Sequence, residues 1–440
     1  MNKVAYLPMH SNAIKGLYSW LVNNILLSLL FLNIPVWFYA INPSFLPKYF
    51  YFAIAAICLP RIITHINGRS IYSPNALFAW TGAFIFLYFL HYIALSGDNT
   101  IQASFIATDL QSVGLAAIYA SAFSCVPRAS YRFVFPLLVV VAAACVILDF
   151  AVPGQFYDLA SAEEAALGVQ SNGVLGRGAG LYLNPNRAAE TLIFLLLLCV
   201  AWTRGVMLLF LLIIGGVGMM LTFSRAGLVA WFLLWPVALW TKALPRYVYG
   251  VLAASVVVVP AFVVIVMNYV EDNPAFEGAR KNIEERINFF GDLSVEDASS
   301  LERKAALELG IQTFEKYPLF GAGSCYTDVW DFPVSTHNMP VRMLAEFGLT
   351  GLLIWLWIIY LLWTGDYLEN KNLQIAAALF FVFLSAFSHN LFDSPQMLLI
   401  YALITQRSLP MRRNLFPSAQ QGTQTFLRPF PGLGKSSWQA

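Results

Sequence analysis

Ser335-Thr336-His337-Asn338-Met339-Pro340 closes a polar stretch, residues 271–340, that interrupts an otherwise membrane-like sequence. The stretch holds a large share of the chain's acids and bases, and His337 is its one histidine. An apolar run resumes directly after Pro340. A polar module hung between apolar segments, with a histidine at its exit, points to chemistry at a membrane surface.

The surrounding sequence sets the class. Hydrophobic residues make up 59% of the 440 and charged residues 11%, with a mean hydropathy of +0.65. A soluble chain would carry about 25% charge. Apolar stretches lie near 18–41, 49–66, 76–97, 102–125, 131–152, 187–203, 205–223, 226–241, 246–270, 341–364, 372–391 and 394–407. They approach the roughly 20 residues that cross a bilayer as a helix. The expected fold is therefore an all-α polytopic membrane protein of about 12 transmembrane helices, with one large, partly helical external loop.

Basic residues orient it. With a cytoplasmic N-terminus, the inner side receives 15 of the 26 Lys and Arg, mostly in very short loops such as those of Arg204 and Lys371. Seven of the remaining 11, including Arg280, Arg303, Lys316 and Arg342, belong to the long polar stretch or its exit, and long loops are largely exempt from the charge rule. The expected organisation has four parts. Residues 1–270 form helices 1–9 with a smaller outward loop at 153–186. Residues 271–340 form the large outward loop and 341–413 helices 10–12. Residues 414–440, rich in Ser, Gln, Gly and Pro, form a disordered cytoplasmic tail. The first apolar stretch lacks a small-residue cleavage site and reads as a retained span.

Other classes are disfavoured. The net charge is +2 and no basic stripe with interleaved aromatics occurs, so no nucleic-acid partner is expected. Of Cys58, Cys125, Cys145, Cys199 and Cys325, only Cys325 falls in the long loop, which rules out a disulfide framework there. No internal repeat is visible, which weighs against a transporter. Acids fall almost entirely on the outer side, with Asp366 and Glu369 inside, a distribution that suits one-sided chemistry better than passage.

Candidate residues gather on that outer face: Arg187 after Asn184-Pro185-Asn186, Arg225 after Ser224, Arg303 and His337 in the long loop, His389 and Asp393 in the last outward turn. Arg225 suits two roles, snorkelling to headgroups or gripping an anion with its planar fork. Ser299-Ser300-Leu301-Glu302 reads as a capping box that opens a helix to about Lys316. On it Arg303, Leu307, Ile311 and Phe314 share a face, so Arg303 needs an anionic partner, either a loop carboxylate or a substrate. His337 suits a hydrogen-bonded loop position, a metal site, a cap neighbour or a general base. Near it stand only Cys325, Asp328 and Asp331 as further ligands, a poor metal set. A helix starting at Pro340 would favour the neutral, proton-accepting imidazole. Arg342 and Glu346 are one helical turn apart and can pair. Asp109, Asp149 and Glu190 lie in or near spans, where charge is expensive, without a partner that the sequence names.

These pieces together resemble the O-antigen ligase and polymerase superfamily of bacterial membrane glycosyltransferases. The resemblance rests on Thr222-Phe223-Ser224-Arg225-Ala226-Gly227, Glu302-Arg303, Pro318-Leu319-Phe320-Gly321-Ala322-Gly323, and His337-Asn338 followed by Ala345-Glu346-Phe347-Gly348-Leu349-Thr350-Gly351. It covers about 184–351. The single dominant loop before the tenth span is most like the ligases, and the loop at 153–186 keeps a polymerase open. A lipid-linked glycan flippase is the alternative from another class. The resemblance implies a GT-C-like fold in the bacterial inner membrane with the site facing the periplasm. It also implies an undecaprenyl-pyrophosphate-linked glycan donor, a lipid A-core acceptor among membrane lipids, no cofactor and no metal. By the same resemblance His337 is the base, Arg225 and Arg303 hold pyrophosphate, and Arg187, Asn338, His389 and Asp393 contribute to substrate binding.

The topology is testable with cysteines introduced at Ser299 and Ser418. An impermeant thiol reagent applied to whole cells should label the first and spare the second; labelling at 418 would reverse the orientation.

Overall fold

The computed structural model describes residues 16–66, 72–73, 75–94, 100–124, 131–152, 176–277, 280, 283–284 and 298–408, except 43, 45, 246, 333 and 390. The tail at 414–440, the loop at 153–175 and most of 278–297 lie outside the described residues.

Helices follow one another along the chain as α1 (Gly16–Phe31), α2 (Ile34–Ile41), α3 (Pro47–Ile66), α4 (Asn75–Ala94), α5 (Thr100–Phe123), α6 (Val134–Ala151), α7 (Pro185–Trp202), α8 (Gly205–Leu221), α9 (Arg225–Trp240), α10 (Val248–Asp272), α11 (Ala298–Lys316), α12 (Tyr326–Val329), α13 (Met339–Thr364), α14 (Lys371–Ser385) and α15 (Pro395–Ile404). A two-residue antiparallel ladder pairs Tyr72–Ser73 with Arg407–Ser408. Among the described residues, α4, α5, α6, α7 and α13 are long and apolar enough to cross a membrane, while α1, α8, α9, α14 and α15 are apolar but shorter. Phe52, Phe133, Leu137 and Val206 lie exposed on the outside of the bundle, where a soluble protein would not gather such a surface. The chain is a multi-pass membrane protein.

Burial follows composition. Helix α7 is apolar on every side after its first two turns and is buried almost throughout; so is α15 after its first turn. A helix hydrophobic all round has no solvent face to offer and goes to the centre. Helix α15 packs on α5 and α7, and α7 in turn packs on α6, α8 and α9. Helix α11 lies on α13. Gly310 lets it approach, since a Cβ there would stand 2.6 Å from Val341 Cγ1.

Helix α13 is broken at Gly348, whose φ of 63° and ψ of −146° are not helical. The break removes the bonds that Leu349 and Thr350 would make to the carbonyls of Ala345 and Glu346. The loop 318–323 takes all four groups. Ala322 N donates to Ala345 O at 2.8 Å and Gly323 N to Glu346 O at 3.0 Å. Leu349 N donates to Pro318 O at 2.9 Å and Thr350 N to Leu319 O at 3.4 Å. Two glycine-bearing motifs some 25 residues apart in sequence are thus one backbone junction. Gly321 adopts φ +73° there, and a Cβ on it would lie 2.2 Å from Glu346 C. An alanine would meet both the clash and a left-handed strain of roughly 1–2 kcal/mol. Gly321→Ala should therefore lower the thermal midpoint in detergent by several degrees. A variant as stable as the parent would show that the junction does not hold the loop to α13.

Candidate functional site

Arg342 sits in the first turn of α13, which begins where expected beside Pro340. The side chain of Asn338 caps it, with Oδ1 accepting from Val341 N at 3.0 Å. The Asn338 amide donates to Ala386 O at 3.2 Å, tying this helix start to the turn after α14. Arg342 is 4% exposed and gathers four carboxylates. Its Nε meets Glu346 Oε1 at 3.1 Å, one helical turn on. Its Nη1 meets Asp393 Oδ2 at 2.8 Å and donates to His389 O at 3.3 Å. Its Nη2 meets Asp328 Oδ2 at 2.8 Å and Asp109 Oδ2 at 3.5 Å. The acids come from α5, α12, α13 and the α14–α15 turn. The expected Arg342–Glu346 pair is present, and it is one quarter of the arrangement.

Each carboxylate is further held. Asp109 accepts from Tyr88 Oη at 2.9 Å and Cys325 Sγ at 3.3 Å. Glu346 accepts from Thr327 Oγ1 at 2.5 Å and from the backbone N–H of Cys325 at 3.1 Å. Burial pushes the Asp328 carboxyl above its usual range, against the pull of Arg342. Cys325, placed by sequence in an outward loop, is fully buried, and burial followed by the charge of Asp109 pushes its thiol up. The sequence offered one clue to this cluster. Asp109 stands in an apolar helix, and an intramembrane carboxylate demands a partner.

The candidate residues lie beside this cluster. His337 precedes α13, and its ring meets that of His389 edge-on, with centroids 5.0 Å apart. Burial lowers the His337 pKa to about 4, assisted by the positive charge of Arg303. Helix α11 lies on α13 with Ala306, Gly310 and Thr313 buried at the contact, while Ile311 faces out. The expected face is thus rotated, yet it keeps Arg303 half-buried and close enough for its charge to act on His337. Burial also holds His389 well below the ordinary value, followed by the charges of His337, Arg342, Arg187 and Arg303. These five groups share one electrostatic neighbourhood. His389 Nδ1 is buried and has no hydrogen-bond partner among the described residues.

Arg187 lies in the first turn of α7, where Asn184 Oδ1 accepts from the N–H groups of Asn186 and Arg187. Arg225 opens α9, capped by Ser224, whose Oγ accepts from Gly227 N at 3.4 Å. A Cβ on Gly227 would stand 2.6 Å from Ala189 Cβ. The first turns of α7 and α9, with their arginines, therefore lie side by side at one end of the bundle. Both side chains are half-buried. Glu190, one turn beyond Arg187, shares a hydrogen bond with Ser388 in the α14–α15 turn. Asp149 accepts from Ala179 N at 2.7 Å and Gly180 N at 2.8 Å, pinning the segment before α7 to α6. Asp109 and Asp149 thus have structural tasks that the sequence did not reveal.

One end of the bundle thus brings Arg187 and Arg303 into the field of a desolvated histidine pair, with Arg225 in the helix turn beside Arg187. That arrangement can hold a polyanion and accept a proton next to it. Four carboxylates surround a guanidinium here, and among the described residues no group of three or more His, Cys, Asp or Glu is placed to hold a metal ion.

Residues 208–356 match the family model described as O-Antigen ligase. Over these residues the chain is similar to the O-antigen ligase superfamily. The match runs from α8 into α13 and spans Arg225, Arg303, His337, Arg342 and Glu346. Arg187, His389, Asp393 and Asp109 fall outside it. It supports glycosyl transfer as the general chemistry and lipid-linked glycans as the general substrates. A search of curated proteins gave no match.

Removing one member of a buried ion cluster leaves charges uncompensated, at a cost of about 3–5 kcal/mol. Arg342→Met should fold poorly or melt far below the parent, and Arg342→Lys, which keeps charge but not the fork, should fall between. A fully stable methionine variant would mean that the cluster does not organise this end.

Proposed function

We propose that the protein is an O-antigen ligase of the bacterial inner membrane. It would transfer a glycan from undecaprenyl pyrophosphate to a sugar hydroxyl of lipid A-core, on a GT-C-like bundle of twelve spans with its site facing the periplasm. The observation that carries this reading is the placement of His337, beside His389 and within the field of Arg303 at the entry of α13. The superfamily match over 208–356 supplies the substrate class.

In this mechanism a neutral His337 takes the proton of the acceptor hydroxyl. The acceptor oxygen attacks the anomeric carbon, the bond to the pyrophosphate oxygen breaks, and the electron pair leaves with the pyrophosphate. Arg225 and Arg303 receive that negative charge, as a metal ion would elsewhere, and Arg187 adds to the positive field. Attack opposite the leaving group inverts the anomeric centre. Asn338 and Asp393 act through the start of α13 and through Arg342, and His389 lines the acceptor side.

Purified protein given lipid A-core and undecaprenyl-pyrophosphate-linked glycan should yield glycan-capped lipopolysaccharide on a gel. Lengthened glycan still on undecaprenyl pyrophosphate would indicate a polymerase, and no covalent product with either would favour transport. His337→Ala should lower turnover roughly 100-fold. A base must be deprotonated, so kcat/KM should hold from neutrality down to about pH 5. It should fall only as pH drops through about 4, the pKa that burial and Arg303 impose. An acid limb at the ordinary histidine value, or near-normal turnover by the alanine variant, would remove His337 from the mechanism.

The arginines separate charge from shape. Lysine keeps the charge but loses the bidentate fork, so Arg225→Lys and Arg303→Lys should each weaken donor binding at unchanged thermal stability. Two lysine variants with normal donor affinity would leave the pyrophosphate clamp without support.

A further inference from the structure

Tyr317-Pro318-Leu319-Phe320 leads out of α11, and the chemistry above makes no use of it. Tyr317, Leu319 and Phe320 are 42%, 61% and 59% exposed. Bulky apolar side chains presented together by a short non-helical segment call for a medium other than water. Glu315 and Lys316, also exposed, stand just before them. The Lys316 ammonium lies 5.1 Å from the centroid of the Tyr317 ring, a charged head on an aromatic base.

Helix α13 identifies the medium. Its exposed Leu349, Leu353, Leu356, Tyr360 and Trp363 recur every three or four positions and form one apolar stripe. The start of that stripe meets the segment, since Leu349 N donates to Pro318 O and Thr350 N to Leu319 O. A Cβ on Gly348 would lie 2.5 Å from Leu319 C, so the two main chains touch there. Trp363, a residue type that favours the membrane boundary, ends the stripe. From it to Thr350 the helix rises about 20 Å, whereas a hydrocarbon layer is about 30 Å thick. The segment is therefore fastened to α13 at a depth that lipid occupies. On its other flank the Phe320 backbone hydrogen-bonds the ring of His91, in the last turn of α4. That helix is also long and apolar enough to cross a membrane.

Backbone at such a depth must find its partners within the protein. Gly321 N donates to Tyr317 O at 3.0 Å. The carbonyls of Pro318, Leu319 and Phe320 accept from α13 and His91, and the N–H groups of Ala322 and Gly323 donate to α13. Pro318 has no N–H to satisfy. The main chain is spent inward while the apolar side chains face out.

We propose that Tyr317–Phe320 is a re-entrant membrane anchor. Leu319 and Phe320 enter the acyl chains of the leaflet on the His337 side, and Tyr317 with Lys316 marks its headgroup boundary. The partner is the phospholipid bilayer itself, met as a continuation of the lipid-facing stripe of α13. A stretch whose composition sets it outside the membrane thus dips into it at one point. Tyr317 follows directly on α11, so the anchor fixes the height of that helix, and of Arg303, relative to the lipid. The proposal does not depend on which reaction the site performs.

Spin labels read the depth directly. A nitroxide is attached to Leu319→Cys, Phe320→Cys or Glu315→Cys in vesicles of phosphatidylethanolamine and phosphatidylglycerol, with the parent treated alike as background. Oxygen, which concentrates among acyl chains, and a water-soluble nickel chelate then relax the label. The oxygen-to-nickel ratio at 319 and 320 should exceed that at 315 by roughly tenfold, as expected for apolar groups buried below the headgroups. Equal ratios at the three positions would put the segment in water, and labels shielded from both reagents would put it against protein; either result overturns the proposal. A second variant avoids the label. The added fluorescence of Leu319→Trp over the parent should be quenched by lipids brominated on their acyl chains and spared by aqueous iodide. Quenching by iodide instead overturns the anchor as well.

Discussion

The arrangement of this protein turns on a single buried guanidinium. Arg342 is in contact with carboxylates from four separate parts of the chain, at distances from 2.8 to 3.5 Å. A guanidinium offers five donors in one plane, and here every edge of that plane is occupied. Away from water none of these acids could remain charged without it. The same side chain therefore fixes α5, α12, α13 and the α14–α15 turn with respect to one another. Through its bond to His389 O it also sets the turn whose ring meets His337.

A second constraint works through the backbone. The break at Gly348 leaves four peptide groups of α13 without helical partners, and an unsatisfied backbone group inside a membrane protein is costly. The loop 318–323 supplies all four. The connection between α11 and α12 is thereby joined to α13 by main-chain hydrogen bonds that tolerate little besides glycine at positions 321 and 348. Helix α11 is held over the entry of α13, and Arg303 with it. Each device serves the same end, a rigid floor on which a loop histidine and a loop arginine can be placed to a fraction of an ångström.

Electrostatics then distributes the labour. Four carboxylates are held around Arg342. Burial and the surrounding cations keep His337 and His389 uncharged near neutrality. Under the proposed function, such a neutral histidine would take the proton of the acceptor while the arginines meet the charge of the leaving group.

What the sequence determined by itself was what short-range chemistry decides. Apolar runs marked the helices, and Pro340 and the run before Lys316 marked the boundaries of α13 and α11. His337 stood out as the one histidine of the polar stretch, Arg303 for sharing a helix face with apolar residues, and Arg225 for joining two apolar runs with almost no loop. The pairing of Asp109 with Arg342 across 233 residues, the junction of Gly321 with Gly348, and the meeting of His337 with His389 were decided only by tertiary structure. Periodicity places a side chain on a helix face, but it carries no information about which helix comes to lie opposite. The sequence could thus show that Asp109 needed a partner, and only the packing of α5 against α12, itself packed on α13, could supply it.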